Sequence, residues 1–202
     1  LEVFQNTTTD VVEAIFEEAG KLAAGPVGSI NQTGDQQGVV LDNGIVRTPD
    51  GFKEAYRQYF EGGWNALAFP EDIGGQALPF TIALAVNEMF AAANMAFSLC
   101  PLLTTGAVEA LSAHANETLK RQYLSKLVSG EWTAAMNLTE SQAGSDVGAL
   151  TTRAIEQADG TYLVTGTKIY ITYGDHDLTD NIVHLVLARL PDAPTGTKGI
   201  SL

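Results

Sequence analysis

The chain predicts an α+β protein: an N-terminal α-helical bundle over residues 1–130, then an antiparallel β-barrel or sandwich-like domain over residues 131–202. Three observations carry that expectation. Apolar residues recur at helical spacing in the first part and alternate with polar ones in the second. Helix caps and breakers punctuate the first part, whereas Asp159-Gly160, a hairpin-turn pair, joins two alternating runs in the second. Helices followed by strands, rather than interleaved with them, imply two packed units.

In chain order, Asp10 and Glu13 form a capping-box pattern at the head of a helical run from Val11 to Ala23, and Gly25-Pro26 is expected to stop it. Residues 28–46 are rich in Gly, Gln and Asn. Within them Asp42-Asn43-Gly44, flanked by Val39-Val40-Leu41 and Ile45-Val46, predicts a small hairpin. Thr48-Pro49 opens a second helix, Thr as cap and Pro as first residue, which ends at Gly62-Gly63. Pro79 to Leu99 predicts a third helix, almost all apolar and therefore buried. Pro101 to His114 predicts a fourth. Asn116 to Val128 predicts a fifth, closed by Gly130, with Leu119, Tyr123, Leu124 and Leu127 on one face. Strands are expected at Trp132–Leu138, Ala149–Gln157, Thr161–Thr172 and Asn181–Leu190.

The 202 residues suffice for one large domain or two small ones, and 45% hydrophobic with 17% charged residues is a globular composition. A net charge of −13 argues against nonspecific binding to nucleic acid or to an anionic membrane surface. It leaves open an anionic ligand held by backbone N–H groups and a few cations. A single cysteine, Cys100, excludes an intrachain disulfide and fits a reducing cytosol. No apolar run is expected to reach the ~18–20 residues that span a bilayer. Ile82 to Leu103 is interrupted by Asn87, Glu88, Asn94 and Pro101. No basic segment followed by an apolar core begins the chain, so no signal peptide is expected and the expected location is cytoplasmic. Leu1–Gln5 reads equally as a protease-tag remnant and as the approach to the first helix. The start without Met, and the end at Gly199-Ile200-Ser201-Leu202 inside an expected strand, point to trimming or cutting.

The loop Thr139 to Asp146 holds the candidate chemistry. Ala143 and Gly144 allow close backbone approach, and Thr139 and Ser145 supply hydroxyls that donate and accept. Glu140 and Asp146 repel a phosphate unless they point away. Composition alone favours a polar strand–strand connection over a ligand loop, and the segment is neither a Walker loop nor a Rossmann fingerprint. Ile169-Tyr170-Ile171-Thr172 reads on propensity as ordinary strand. Asp175, His176 and Asp177 point to alternate faces if extended, so no metal site is expected and a solvated turn is. His114 and His184 read as structural. Glu88 in its apolar helix calls for a partner, and Cys100 reads as helix-end packing.

Three motifs in order carry a resemblance: Phe69-Pro70-Glu71-Asp72-Ile73-Gly74-Gly75 after Gly63-Trp64, then Thr139-Glu140 with Gly144-Ser145-Asp146, then Lys168-Ile169-Tyr170-Ile171-Thr172. Together they resemble the acyl-CoA dehydrogenases over nearly the whole chain, roughly the first half of a family member. Gly174-Asp175-His176-Asp177 and the long N-terminal extension are most similar to the larger members, which include methylmercaptopropionyl-CoA dehydrogenases. Two departures stand out: Ser141-Gln142 where the family often has Pro-Gly, and Tyr170 where it usually has Trp.

The resemblance implies FAD as cofactor and α,β-dehydrogenation of an acyl-CoA thioester. It places Thr139 against the flavin ring through hydroxyl and amide, with Met136 and Leu138 near ring and thioester. It places Gly144 and Ser145 at the flavin pyrophosphate and at the pantetheine of CoA. Tyr170 packs on the flavin, Thr172 approaches N5, and Phe90 to Phe97 lies on a helix lining the acyl pocket. The family's base is a Glu of a C-terminal helical domain before which this chain is truncated, so no catalytic residue is assigned in it. A chain so cut is expected to bind FAD weakly or not at all, not to turn over, and to self-associate through uncovered apolar surface. The resemblance further implies an electron-transfer flavoprotein as acceptor and a homo-oligomer, dimer or tetramer. The alternatives are an acyl-CoA oxidase of the same family and a non-catalytic acyl- or CoA-binding module.

Overall fold

A computed structural model describes residue 4 and residues 7–202; apart from Phe4, the Leu1–Gln5 stretch lies outside the described residues. The chain forms two compact units. One comprises residues 1–133 with 175–182, the other residues 134–174 with 183–202.

The first unit is helical. Helix α1 (Thr9–Leu22) is capped by Thr8, whose side chain accepts from Val11 N–H, in place of the expected Asp10–Glu13 box. Gly25-Pro26 does not end it. The chain runs on through a π-turn over Ala23–Val27 that contains Pro26. The wider turn tolerates a residue without N–H, and burial of Ala23 and Val27 favours the continuation. The Gly- and Gln-rich segment then forms an unexpected short helix, α2 (Asn31–Gln37). The hairpin appears as expected: β1 (Val40–Asp42) pairs antiparallel with β2 (Ile45–Arg47). Helix α3 spans Phe52–Glu61 and starts after Gly51, later than Thr48-Pro49. Thr48 instead donates from both N–H and Oγ1 to Asp177 Oδ1, at 2.9 and 2.8 Å.

The expected helix from Pro79 to Leu99 is two helices. Helix α4 (Phe80–Ala93) ends at Asn94, and α5 (Met95–His114) runs straight through Pro101. Asn94 is buried, accepts from Phe97 N–H as N-cap of α5, and donates to Val27 O. A side chain that caps locally competes with helix continuation, which explains the break. Nor is α4 wholly buried: Ile82, Ala83, Val86 and Phe90 face the core, while Phe80 and Leu84 are exposed. Glu88 is exposed as well and does not need a buried partner. Helix α5 is 20 residues long with a mean hydropathy of 1.3, so one helix does reach the length and apolarity of a membrane span. Its inner side, Phe97, Cys100, Thr104, Ala107 and Val108, is buried in the bundle, as in a core helix. Helix α6 (Glu117–Ser129) begins at Asn116 and closes at Gly130 as expected.

Aromatic rings fill the core of this unit. Tyr59 meets Phe60, Phe90 and Phe97 edge-on, at centroid distances of 5.3, 4.9 and 5.8 Å. Such pairs contribute beyond their buried area. Tyr56 Oη donates to Gly130 O at 2.8 Å, tying α3 to the end of α6. The Phe69–Gly75 motif is a tight turn: Gly75 N–H donates to Pro70 O and Ala77 N–H to Phe69 O, both at 2.9 Å.

The expected solvated turn after Gly174 is instead part of this unit's interior. His176 is buried, with Nε2 2.9 Å from Thr133 Oγ1 and Nδ1 accepting from Leu178 N–H. Asp177 accepts from Thr48 and pairs with Lys53 Nζ at 3.0 Å. Among the described residues no group of His, Cys, Asp or Glu is arranged to hold a metal ion.

In the second unit β3 (Thr133–Asn137) pairs with β6 (Ile182–Val186), and β4 (Arg153–Glu156) pairs antiparallel with β5 (Tyr162–Thr165) in register Arg153↔Thr165. The described strands thus form separate two-stranded sheets and no closed barrel. The strands are shorter than expected. Ala149 falls in a 3-10 turn, Val147–Ala149, and the run Thr161–Thr172 holds strand geometry only to Thr165. Tyr170 takes φ +57° and Tyr173 φ +50°, a left-handed backbone that no strand accommodates.

Candidate functional site

All seven residues expected to bind the cofactor lie in the second unit: Met136, Leu138, Thr139, Gly144, Ser145, Tyr170 and Thr172. Met136, Leu138 and Thr139 are half-buried at and just beyond the end of β3; Gly144, Ser145, Tyr170 and Thr172 are exposed. The structure brings Thr139 beside the Tyr170 segment, since Ile169 N–H donates to Thr139 O at 2.9 Å. No hydrogen bond links Gly144 or Ser145 to Tyr170 or Thr172 among the described residues.

The loop that follows Thr139 closes at once. Glu140 and Ala143 exchange backbone bonds, each 3.0 Å, so Ser141-Gln142 forms a two-residue turn. Neither Ser141 nor Gln142 takes a positive φ in closing it. Ala143 is fully buried; Gly144 has nothing within 4 Å of where a Cβ would stand. Nothing inside the chain requires glycine there, so the bare backbone is free for an external group.

Glu140 decides the electrostatics. Its carboxylate turns inward and is almost wholly buried. Oε2 accepts from Thr151 N–H, Thr151 Oγ1 and Gln142 Nε2 at 2.7, 2.8 and 2.6 Å. Oε1 accepts from Thr152 N–H, Thr152 Oγ1 and Lys168 Nζ at 2.9, 2.5 and 3.0 Å. Burial alone would raise its pKa. The bonds from Thr152 Oγ1, Thr151 N–H, Lys168 and Thr152 N–H outweigh it and hold the carboxyl well below the usual range. One of the two anions that would repel a phosphate is thus paired away from the loop's outer surface; the other, Asp146, is exposed. Lys168 lies in the third motif with no role legible in the sequence, and Thr151 and Thr152 carry no local signal. Their signal is tertiary: Lys168 and Glu140 lie 28 residues apart.

Arg189 secures the other end. Its guanidinium donates to the carbonyls of Leu150, Pro194, Gly148 and Gly196, fixing the turn after Asp146. His184, expected to be structural, pairs with the Asn137 side chain at 3.0 Å.

The loop suits a flavin on this chain's own terms. Among the described residues neither the N–H nor the hydroxyl of Thr139 has a hydrogen-bond partner. Tyr170 presents a ring that is 89% exposed on a left-handed backbone. An exposed aromatic face held in a strained conformation beside unspent donors is the pattern of a binding site. In the helical unit, a separate cavity of about 90 Å³ between α4 and α5 is lined by Phe90, Ala91, Met95, Ser98, Leu99 and Leu102.

Comparison with known proteins agrees in both units. A family model described as acyl-CoA dehydrogenase, N-terminal domain, matches residues 43–131, and one described as acyl-CoA dehydrogenase, middle domain, matches residues 135–202. The 3-methylmercaptopropionyl-CoA dehydrogenase of Ruegeria pomeroyi is 46% identical over 202 residues, which is 100% of this chain and 34% of that protein. A butyryl-CoA dehydrogenase of Syntrophomonas wolfei is 36% identical over 196 residues, 95% of this chain and 32% of that protein. The chain thus spans about a third of the length of these relatives. Among solved structures, butyryl-CoA dehydrogenase from Megasphaera elsdenii superposes with a TM-score of 0.75 at 23% identity, over 96% of this chain and 47% of that one. An acyl-CoA dehydrogenase from Bacillus anthracis complexed with FAD gives 0.71 at 25% identity, over 92% of this chain and 30% of that one. The two domain matches, one in each part of the chain, and a relative 46% identical over its whole length lead to one assignment: the chain belongs to the acyl-CoA dehydrogenase family.

Proposed function

We propose that this chain is the flavin-facing part of an enzyme that dehydrogenates an acyl-CoA thioester between its α- and β-carbons. The supporting observation is Thr139, whose two donors are unspent on a strand end held rigidly by the Glu140–Lys168 pair. In this reading a base outside these residues removes the α-proton and the β-hydrogen leaves as hydride. FAD, when bound, would accept that hydride.

The chain's own residues bind and orient. Thr139 donates to the polar edge of the ring, Tyr170 covers a face, and Thr172 approaches its centre. Met136 and Leu138 exclude water beside the ring. Gly144 and Ser145 offer backbone and hydroxyl to pyrophosphate and pantetheine, a role that the neutralised Glu140 permits. A carrier that only stored acyl-CoA has no use for donors at Thr139, which disfavours a non-catalytic module. An electron-transfer flavoprotein is the proposed acceptor, and a homo-oligomer the proposed assembly.

The test is an FAD titration of the purified chain, followed by quenching of flavin fluorescence and by retention of the visible bands after desalting. Weak saturable binding is expected, with no flavin bleaching when acyl-CoA is added. The reading fails if FAD binds and Thr139→Val leaves the affinity unchanged.

A further inference from the structure

Lys168 makes two bonds, and neutralising Glu140 uses only one of them. Its Nζ donates to Glu140 Oε1 and to Leu138 O, each at 3.0 Å. The Leu138 carbonyl and the Thr139 N–H are the two ends of a single peptide group. Resonance couples them, so a cation bonded to the oxygen draws electron density from the nitrogen. The N–H becomes a stronger donor, and its line is fixed by the immobilised carbonyl. The effect is large only where water is excluded, and the Lys168 side chain is 8% exposed. Glu140 offsets part of this effect, but it is Nζ that is bonded directly to the Leu138 oxygen.

We propose that Lys168 is a positioning residue for the flavin, which aims the Thr139 N–H and strengthens it as a donor through the 138–139 peptide. This rests on the flavin reading of the loop. A stronger donor at an electron-rich ring edge favours the ring when it carries more electron density. Lys168 thereby acts on the cofactor without touching it.

The test compares the ¹⁵N-labelled chain with Glu140→Gln/Lys168→Met, a double variant that leaves no buried unpaired charge. A lysine serving only to neutralise Glu140 is dispensable in that background, and Thr139 would be unchanged. The proposal expects the Thr139 amide nitrogen to move upfield and the FAD affinity to fall about fivefold, as loss of part of one hydrogen bond implies. Lys168→Arg, which keeps a cation, is expected to retain most of both. An unmoved Thr139 in the folded double variant, with flavin still bound as in the wild type, overturns the proposal and leaves the flavin reading intact. A Thr139→Val chain that binds FAD as the wild type does sinks the flavin reading and this proposal with it. Should the double variant not fold, a ¹⁵Nζ–¹³C′ coupling between Lys168 and Leu138 in the wild type serves instead, and its absence overturns the proposal.

Discussion

Lys168 Nζ stands 3.0 Å from Glu140 Oε1 with side chains 8% and 3% exposed, the only ion pair among the described residues in which both partners are buried. Desolvating two charges is unfavourable, and the pair persists because every lone pair of Glu140 is satisfied by threonine, glutamine or lysine donors. Removing one partner strands the other. Glu140→Ala is expected to destabilise the second unit by about 3–5 kcal/mol, and Glu140→Gln/Lys168→Met by clearly less. Urea unfolding at pH 7 checks the order. Equal losses in the two variants would show that the charge pair itself carries little.

Acid sensitivity follows from two carboxylates. Burial would raise the Asp177 pKa, but bonds from Thr48 N–H, Lys53 and Thr48 Oγ1 lower it to about 2. Glu140 is depressed for the reasons already given. A depressed folded pKa adds stability above the unfolded value, and that stability is lost as pH falls from about 4 toward the folded pKa. For Asp177 the loss is on the order of 2 kcal/mol, complete only below about pH 2. Asp177→Asn should therefore be less stable than wild type at pH 7 and nearly equal to it at pH 2. Chemical unfolding at both values measures this, and a difference that does not shrink with acid refutes it.

What the sequence made legible was local. The hairpin at Asn43-Gly44, the cap Asn116 and the stop Gly130 each reveal themselves within a few neighbouring residues. What stayed hidden depends on partners far along the chain. His176 and Asp177 read as a solvated turn because Thr133 and Thr48, which bury and bind them, lie 43 and 129 residues away. The same holds for Lys168: the motif containing it was visible, its contact with Leu138 was not. The strand from Thr161 ends sooner than propensity predicts: Ile169-Tyr170-Ile171-Thr172 has high β-propensity, and propensity carries no information about the positive φ at Tyr170. The break at Asn94 is hidden in the sequence because an apolar run masks one capping side chain.

Two glycines of the motifs are expected to behave oppositely. A Cβ on Gly75 would lie 1.9 Å from Phe69 O, inside the tight turn that follows Gly74, itself at φ +97°. Gly75→Ala should destabilise the helical unit by about 1–3 kcal/mol, as overpacking does. A Cβ on Gly144 meets nothing within 4 Å. Gly144→Ala should change stability by no more than about 0.5 kcal/mol while weakening FAD binding. Thermal melts with FAD titrations separate the two. A Gly144→Ala chain with unaltered FAD affinity would remove that backbone from the site.

Tyr170 holds the clearest conflict between stability and function. Its ring is 89% exposed and contributes little packing, yet its backbone sits at φ +57°. A left-handed conformation costs an L-residue about 1–2 kcal/mol, and glycine adopts it without that penalty. Part of the gain is offset by the greater freedom of glycine in the unfolded chain, about 0.4–1 kcal/mol. Tyr170→Gly should thus raise the melting temperature, by up to about 4 °C for a chain of this size. It should also weaken FAD binding by removing the aromatic face. Tyr170→Phe keeps the ring and the strain, and should leave both properties near wild type. If Tyr170→Gly instead melts earlier, an unseen contact holds the ring in place; if it binds FAD as tightly as wild type, the ring is not a flavin platform.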